Sequence, residues 1–120
     1  MNAYEIPNLR FSFPAGGAVA IRRFVTIGTG SVGKQATANA VVVGVSMNAV
    51  EVTSGLTAEQ QVLEVADGIL MVDAGGTVAE GDLVASDANG KAVKVTTETN
   101  IAGKAITAGT AGSLIAVKVY

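Results

Sequence analysis

The run best equipped for chemistry is Gly28-Thr29-Gly30-Ser31-Val32-Gly33-Lys34. It fits two phosphate-cradling patterns at once, G-x-G-x-x-G and G-x-x-x-x-G-K. Glu51 lies near the distance at which a dinucleotide site carries its acid. Both patterns work because a helix starts at the last glycine and aims its free amides at phosphate. Here only Gln35 to Asn39 separates the loop from the next apolar run. That is too short for the crossover helix that parallel strands need. A P-loop also needs Ser or Thr after the lysine to reach magnesium, and this chain has Gln35. The run reads as a glycine-rich turn between antiparallel strands, with nucleotide binding as the competing reading.

The second candidate is a group of carboxylates, Asp67, Asp73, Glu80, Asp82 and Asp87. Glu80, Asp82, Asp87 and Asn89 offer the oxygens a hard cation takes. The D-x-N-G run is too short for an EF-hand loop, and no Glu closes it. A paired-carboxylate sugar hydrolase would want aromatic surfaces for its substrate, and aromatics are 4% of the chain. These acids read as turn formers that accept hydrogen bonds from their own backbone. The chain has no His and no Cys. Thiolate and imidazole metal sites, disulfides, Cys nucleophiles and Ser-His-Asp triads are therefore excluded. No enzyme activity, cofactor or metal is expected. Arg10, Arg22, Arg23, Lys91 and Lys94 could meet acidic patches on a partner. Taken singly, each reads as a solvated charge guarding a strand edge.

These residues must be positioned by a small framework. The 120 residues carry a net charge of −2 and are 49% hydrophobic, which fits one folded domain. Charged residues are 15%, against about 25% in ordinary domains. The core must come from Val, Ala, Ile and Leu, and the surface from Thr, Ser, Asn, Gly and Ala. Such a surface suits a protein partly covered by neighbours. The acidic balance argues against nucleic-acid binding. No apolar run approaches the roughly 18 residues that span a bilayer, and Met1 to Arg10 lacks a signal-peptide layout.

Short apolar stretches between turn signals predict an all-β fold, a small single-domain sandwich or barrel of antiparallel strands. Residues 1–17 stand apart. They hold both prolines and three of the five aromatics. Leu9, Phe11 and Phe13 alternate with Asn8, Arg10 and Ser12, so the segment is extended with one sticky face. It is either a first strand on its own domain or an extended N-terminal arm that adds to a neighbour's sheet. Pro7 and Pro14 favour an edge in both cases. The division is thus an arm over 1–17 and a β-rich domain over 18–120. Within the latter, strands are expected at 18–27, 40–46 and 49–53. In the first of these, Val19, Ile21, Val25 and Ile27 share one face. Residues 54–60 form a polar connection in which Thr57 caps at most one helical turn. Asp67-Gly68 predicts a hairpin between 62–66 and 69–73. Residues 87–90 turn between 82–86 and 91–96, and 108–112 turn between 101–107 and 113–119. There is no solenoid-type repeat.

The order of motifs in the second half is Gly76 to Val84 with its Gly81-Asp82, then Asn89-Gly90-Lys91, then Ile101-Ala102-Gly103-Lys104-Ala105, then Ala111-Gly112 before the last strand. With Ala15-Gly16-Gly17-Ala18 and the run from Val41 to Ser46, this order resembles the capsid decoration (head cement) proteins of tailed bacteriophages. The resemblance spans residues 15 to 120. It departs from the family after Gly81-Asp82, where Val84, Ala85 and Ser86 stand in place of aromatics. It implies a non-enzymatic virion protein, made in the host cytoplasm and carried on the capsid exterior. It further implies homotrimers bound to the major capsid protein, stabilising the expanded shell. Tyr4, Ile6, Leu9, Arg10, Phe11, Phe13, Arg22 and Arg23 are the expected capsid or subunit contacts. Another phage structural module, in a tail, baseplate or fibre, is the alternative.

Overall fold

A computed structural model of the chain describes residues 5–52 and 57–120. Alternating small β-branched side chains give nine short strands among these residues. They are β1 (Ile6–Pro14), β2 (Phe24–Gly28), β3 (Val32–Gln35), β4 (Gly44–Ser46), β5 (Val62–Asp73), β6 (Leu83–Ser86), β7 (Ala92–Lys94), β8 (Gly103–Ala105) and β9 (Leu114–Val119). One 3-10 turn, Ala58–Gln60, follows Thr57, whose amide donates to the Gln60 side chain at 2.8 Å. That is the single capped turn expected there. All strand pairs are antiparallel and belong to one curled sheet of order β3-β2-β4-β5-β9-β8-β6-β7, with β1 on β5.

Three expectations are corrected. The chain does not turn back at Asp67-Gly68, because β5 runs through it as one strand of 12 residues. Gly68 has a φ of 115° and lies opposite Pro7, which has no amide to offer; the Leu9 amide donates instead to the Asp67 carboxylate. Asp-Gly thus marks a bulge, not a hairpin. The strand expected at 18–27 begins only at Phe24, since Arg22 has a φ of 64° and breaks the extended run. Val19 and Val25 are buried, but Ile21 and Ile27 are exposed. The apolar run 40–46 and the alternation at 49–53 shrink to Gly44–Ser46 and a single Val50↔Val19 bridge, with residue 53 outside the described residues. The hairpin at 87–90 holds, with Ser86 opposite Ala92. The last two strands pair as expected, Lys104 opposite Lys118.

The sheet repeats itself once. Val25 pairs Gln35 and Gly44 in the first half, and Val84 pairs Lys94 and Gly103 in the second. Each curl brings its ends together at a lone parallel bridge, Ala15↔Gly33 and Ala74↔Ala92. Each has a lone antiparallel bridge, Val19↔Val50 and Val78↔Gly109. The positive-φ positions Arg22 and Ser31 return as Gly81 and Gly90. Every one of these pairs is displaced by 59 positions. The sequence trace of this is Ala-Gly-Gly-x-Val-Ala at 15–20 and again at 74–79. Strand β5 is shared: its first half closes the first repeat against β1, and its second half opens the next against β9.

Two apolar clusters follow from this. Leu63 and Val65 of β5 point into one, with Val19, Val25, Val50 and the partly buried Phe11 and Phe13. Ala66, Leu70 and Val72 of the same strand point into the other, with Ile115 and Val117. Phe24, Ala36 and Val45 of the first repeat also lie in this second cluster and tie the repeats together. Burying a Leu or Phe side chain fully contributes about 1.5–3 kcal/mol.

Gly44 and Gly103 are equivalent, and each lets β4 or β8 approach its neighbour closely. A Cβ at Gly44 would strike the Ala66 carbonyl oxygen, and one at Gly103 the Lys118 carbonyl oxygen. The equivalent pair Gly17 and Gly76 has nothing within 4 Å. Gly44→Ala and Gly103→Ala are expected to cost about 1–3 kcal/mol each by overpacking. Gly17→Ala and Gly76→Ala should leave the thermal midpoint nearly unchanged. Thermal melts of the four variants check both halves of this expectation.

Candidate functional site

The glycine run proves to be a hairpin. Gly28 ends β2, Val32 begins β3, and Gly28 lies opposite Val32. Gly33 is buried inside β3, where a Cβ would meet Leu63 and Phe13. Lys34 is paired across the hairpin with Thr26, so it does not head a helix. Among the described residues no helix follows this loop, and the turn reading accounts for its glycines.

The acids are occupied in turns. Asp82 accepts the Ala79 amide at 2.9 Å and lies 4.0 Å from the Lys94 ammonium. Asp87 accepts the amides of Asn89 at 2.8 Å and Lys91 at 2.9 Å, which fixes the 87–90 hairpin. Asp73 pairs with Arg23 at 2.9 Å. Among the described residues, no three carboxylates converge as a metal site would need. The Glu98 carboxyl is held below its ordinary value, chiefly because the Thr96 amide donates to it.

The expected contact residues separate into three groups. Ile6, Leu9 and Arg10 lie on β1 with their side chains exposed, and Arg10 is 3.6 Å from Glu64. Phe11 and Phe13 are half-buried, meet edge to face at 5.4 Å, and pack on the first apolar cluster. Arg22 and Arg23 are engaged within the chain. Arg22 pairs with Glu5, and Arg23 bonds Asp73 and, at 3.0 Å, the Asn89 carbonyl oxygen. Tyr4 lies outside the described residues. In this structure 6–14 is a strand on the chain's own β5, at an outer position that suits its two prolines. Sequence reasoning missed the exposed face of the second repeat, where Leu83, Lys104 and Lys118 stand in one cross-strand row. The alignment of the two Ala-Gly-Gly runs was the signal that could have found it.

Comparison with known proteins gives two findings. The model of the phage cement protein family matches residues 5–120. Among solved structures, the head fiber gp8.5 N base of bacteriophage phi29 has the same fold, with a TM-score of 0.73 at 19% identity over 93% of each chain. No curated protein matches the chain.

Two outcomes follow from the geometry. Phe13→Ala should destabilise the fold by about 2–3 kcal/mol, below the full-burial range for a phenylalanine because the ring is only half covered. Leu9→Ser should stay within about 0.5 kcal/mol of the parent. Urea unfolding of both variants checks the split between core and surface on β1. Millimolar magnesium-ATP should leave the amide resonances of Gly28 to Lys34 in place, and saturable shifts there would restore the nucleotide reading.

Proposed function

The chain belongs to the phage cement protein family and is a structural component of a bacteriophage virion, and on that premise we propose that it binds the outer surface of the capsid and cements the expanded shell. It does so as a trimer seated on the major capsid protein, and it catalyses no reaction. The observation that carries this reading is the family match, which runs through every described element.

The physical case agrees with it. Cementing needs many modest contacts made together, and linking them multiplies affinity without any single strong interface. The surface offers such contacts. Ile6 and Leu9 are 52% and 59% exposed on an outer strand, with Arg10 beside them. Exposed apolar groups rimmed by polar ones mark interaction sites. Residues 1–17 act as the docking segment in this reading, and 18–120 as the body. Phe11 and Phe13 then support the segment from below, and Arg22 and Arg23 hold the loop beside it. A neighbouring subunit covering these apolar positions explains how so few surface charges suffice.

Co-sedimentation with undecorated expanded capsids, followed by imaging, tests the proposal. Saturable binding with trimeric density at local three-fold positions is expected. The double variant Ile6→Glu/Leu9→Glu should lose at least tenfold in affinity while keeping its fold. Absence of binding by the parent chain at micromolar concentration would remove the cementing reading. Density at a tail or fibre attachment point would establish the alternative structural module.

A further inference from the structure

The two repeats share a backbone but present opposite chemistry on one row. In the first repeat, Phe24 pairs Val45 and Val45 pairs Ala66, and all three are 0% exposed. They are buried because the second repeat's apolar cluster closes over them. The equivalent row of the second repeat is Leu83, Lys104 and Lys118, joined by the same strand pairings. This row is open, with Leu83 42% exposed and both lysines exposed. Ile106, just past β8, and Leu114, at the far end of β9, are also exposed, and the partly buried Ile69 continues the row from Lys118.

The lysines oppose each other directly across two strands, an arrangement of like charges that strands avoid. Four cations of the chain have acidic partners: Arg10 has Glu64, Arg22 has Glu5, Arg23 has Asp73 and Lys94 has Asp82, while Lys34 and Lys91, which lie on other strands or turns, have none among the described residues. Neither Lys104 nor Lys118 has one among the described residues. Strands β6, β8 and β9 contain no Asp or Glu at all. In a chain of net charge −2, this face is a local inversion of sign with apolar side chains around it. Charged groups at interfaces are matched by opposite charge on the partner.

A second copy cannot stack here as repeat packs on repeat. The matching surface would be the apolar interior of another first repeat, and burying the paired cations Lys104 and Lys118 against it without acidic partners is unfavourable. We propose that the face around Leu83, Lys104 and Lys118 docks an acidic, partly apolar surface of the capsid shell protein. This rests on the capsid-binding reading above and extends its footprint from β1 into the second repeat, because Lys118 lies opposite Ile69 and Ile69 lies opposite the exposed Ile6.

The test is quantitative co-sedimentation with expanded capsids in low and high salt, using the parent chain, K104E/K118E and K104Q/K118Q. Both variants alter exposed side chains, and amide spectra confirm their folds. Parent binding that weakens with salt, a loss of at least tenfold in K104E/K118E and a smaller loss in K104Q/K118Q are expected. Equal binding by parent and K104E/K118E would overturn the face while leaving capsid binding intact. Failure of the parent to bind would overturn both together. Sedimentation velocity of the free proteins supplies the remaining outcome. If K104E/K118E loses self-association that the parent shows, the occupant is another copy and the shell assignment is wrong.

Discussion

The bend in β5 is the constraint on which the rest of the structure depends. Ser46 lies opposite Val65, and its carbonyl oxygen accepts the Arg22 amide at 3.1 Å; the Arg22 carbonyl oxygen accepts the Asp73 amide at 3.0 Å. A straight strand would carry Asp73 about 26 Å past Val65 at roughly 3.3 Å per residue. One residue can bridge to both neighbourhoods only if β5 folds over between them. Gly68, with its positive φ opposite a proline, is where the chain can do so. Arg23 then reaches Asp73 and Asn89, and the Phe24 amide reaches the Gly90 carbonyl oxygen at 2.8 Å. The bend thus converts two similar curls in sequence into one body with a shared core.

That arrangement explains how a chain poor in aromatics is held together. Val and Ala bury little area each, so close backbone approach must supplement side-chain packing. The glycines at 44 and 103 permit it at equivalent crossings. The buried Ser46 hydroxyl serves the same end. It donates to the Ala20 carbonyl oxygen at 2.6 Å and accepts the Arg23 amide at 3.1 Å, so the turn at Arg22 leaves no buried amide unpaired there. Its equivalent in the second repeat is Ala105, where the turn carries Gly81 in place of Arg22. A glycine adopts positive φ without cost, whereas an arginine is strained there and is held by added hydrogen bonds.

What was legible in the sequence was whatever local chemistry decides. The 87–90 hairpin announced itself through Asp87, whose carboxylate caps its own turn. The capped turn after Thr57 and the edge position of a strand with two prolines were equally local. The all-β class followed from turn spacing. Asp67-Gly68 misled because the same dipeptide satisfies a bulge as readily as a hairpin, and only the partner residue Pro7 decides which. The runs at 18–27 and 40–46 are strands only from Phe24 and from Gly44 onward, since apolar residues also line the closures and loops of a curled sheet. For the candidate site, alternation puts Leu9 on one face with Phe11 and Phe13, but the phenylalanines lie opposite Val65 and Leu63 of the first cluster while Leu9 lies opposite Asp67, beyond that cluster, and stays exposed.

The duplication gives a way to separate what the fold requires from what function has added. Positions that agree between the repeats, such as Ala15 with Ala74, Gly16 with Gly75 and Gly44 with Gly103, sit at closures and close crossings. These three pairs answer to sterics, unlike Gly17 and Gly76, which agree although a Cβ there would meet nothing. Positions that diverge while keeping the same backbone answer to their surroundings. Phe24, Val45 and Ala66 are apolar because the neighbouring repeat covers them. Leu83, Lys104 and Lys118 occupy the same row with no repeat to cover it, and run-on stacking of copies is the hazard of any such open face. Lysines on the row remove that hazard, since desolvating two paired cations against an apolar interior is unfavourable. The same lysines leave the face open to a surface that brings its own carboxylates. A small protein that must stay unaggregated when free and bind when it meets its shell needs both properties, and a charged row flanked by apolar side chains supplies them together.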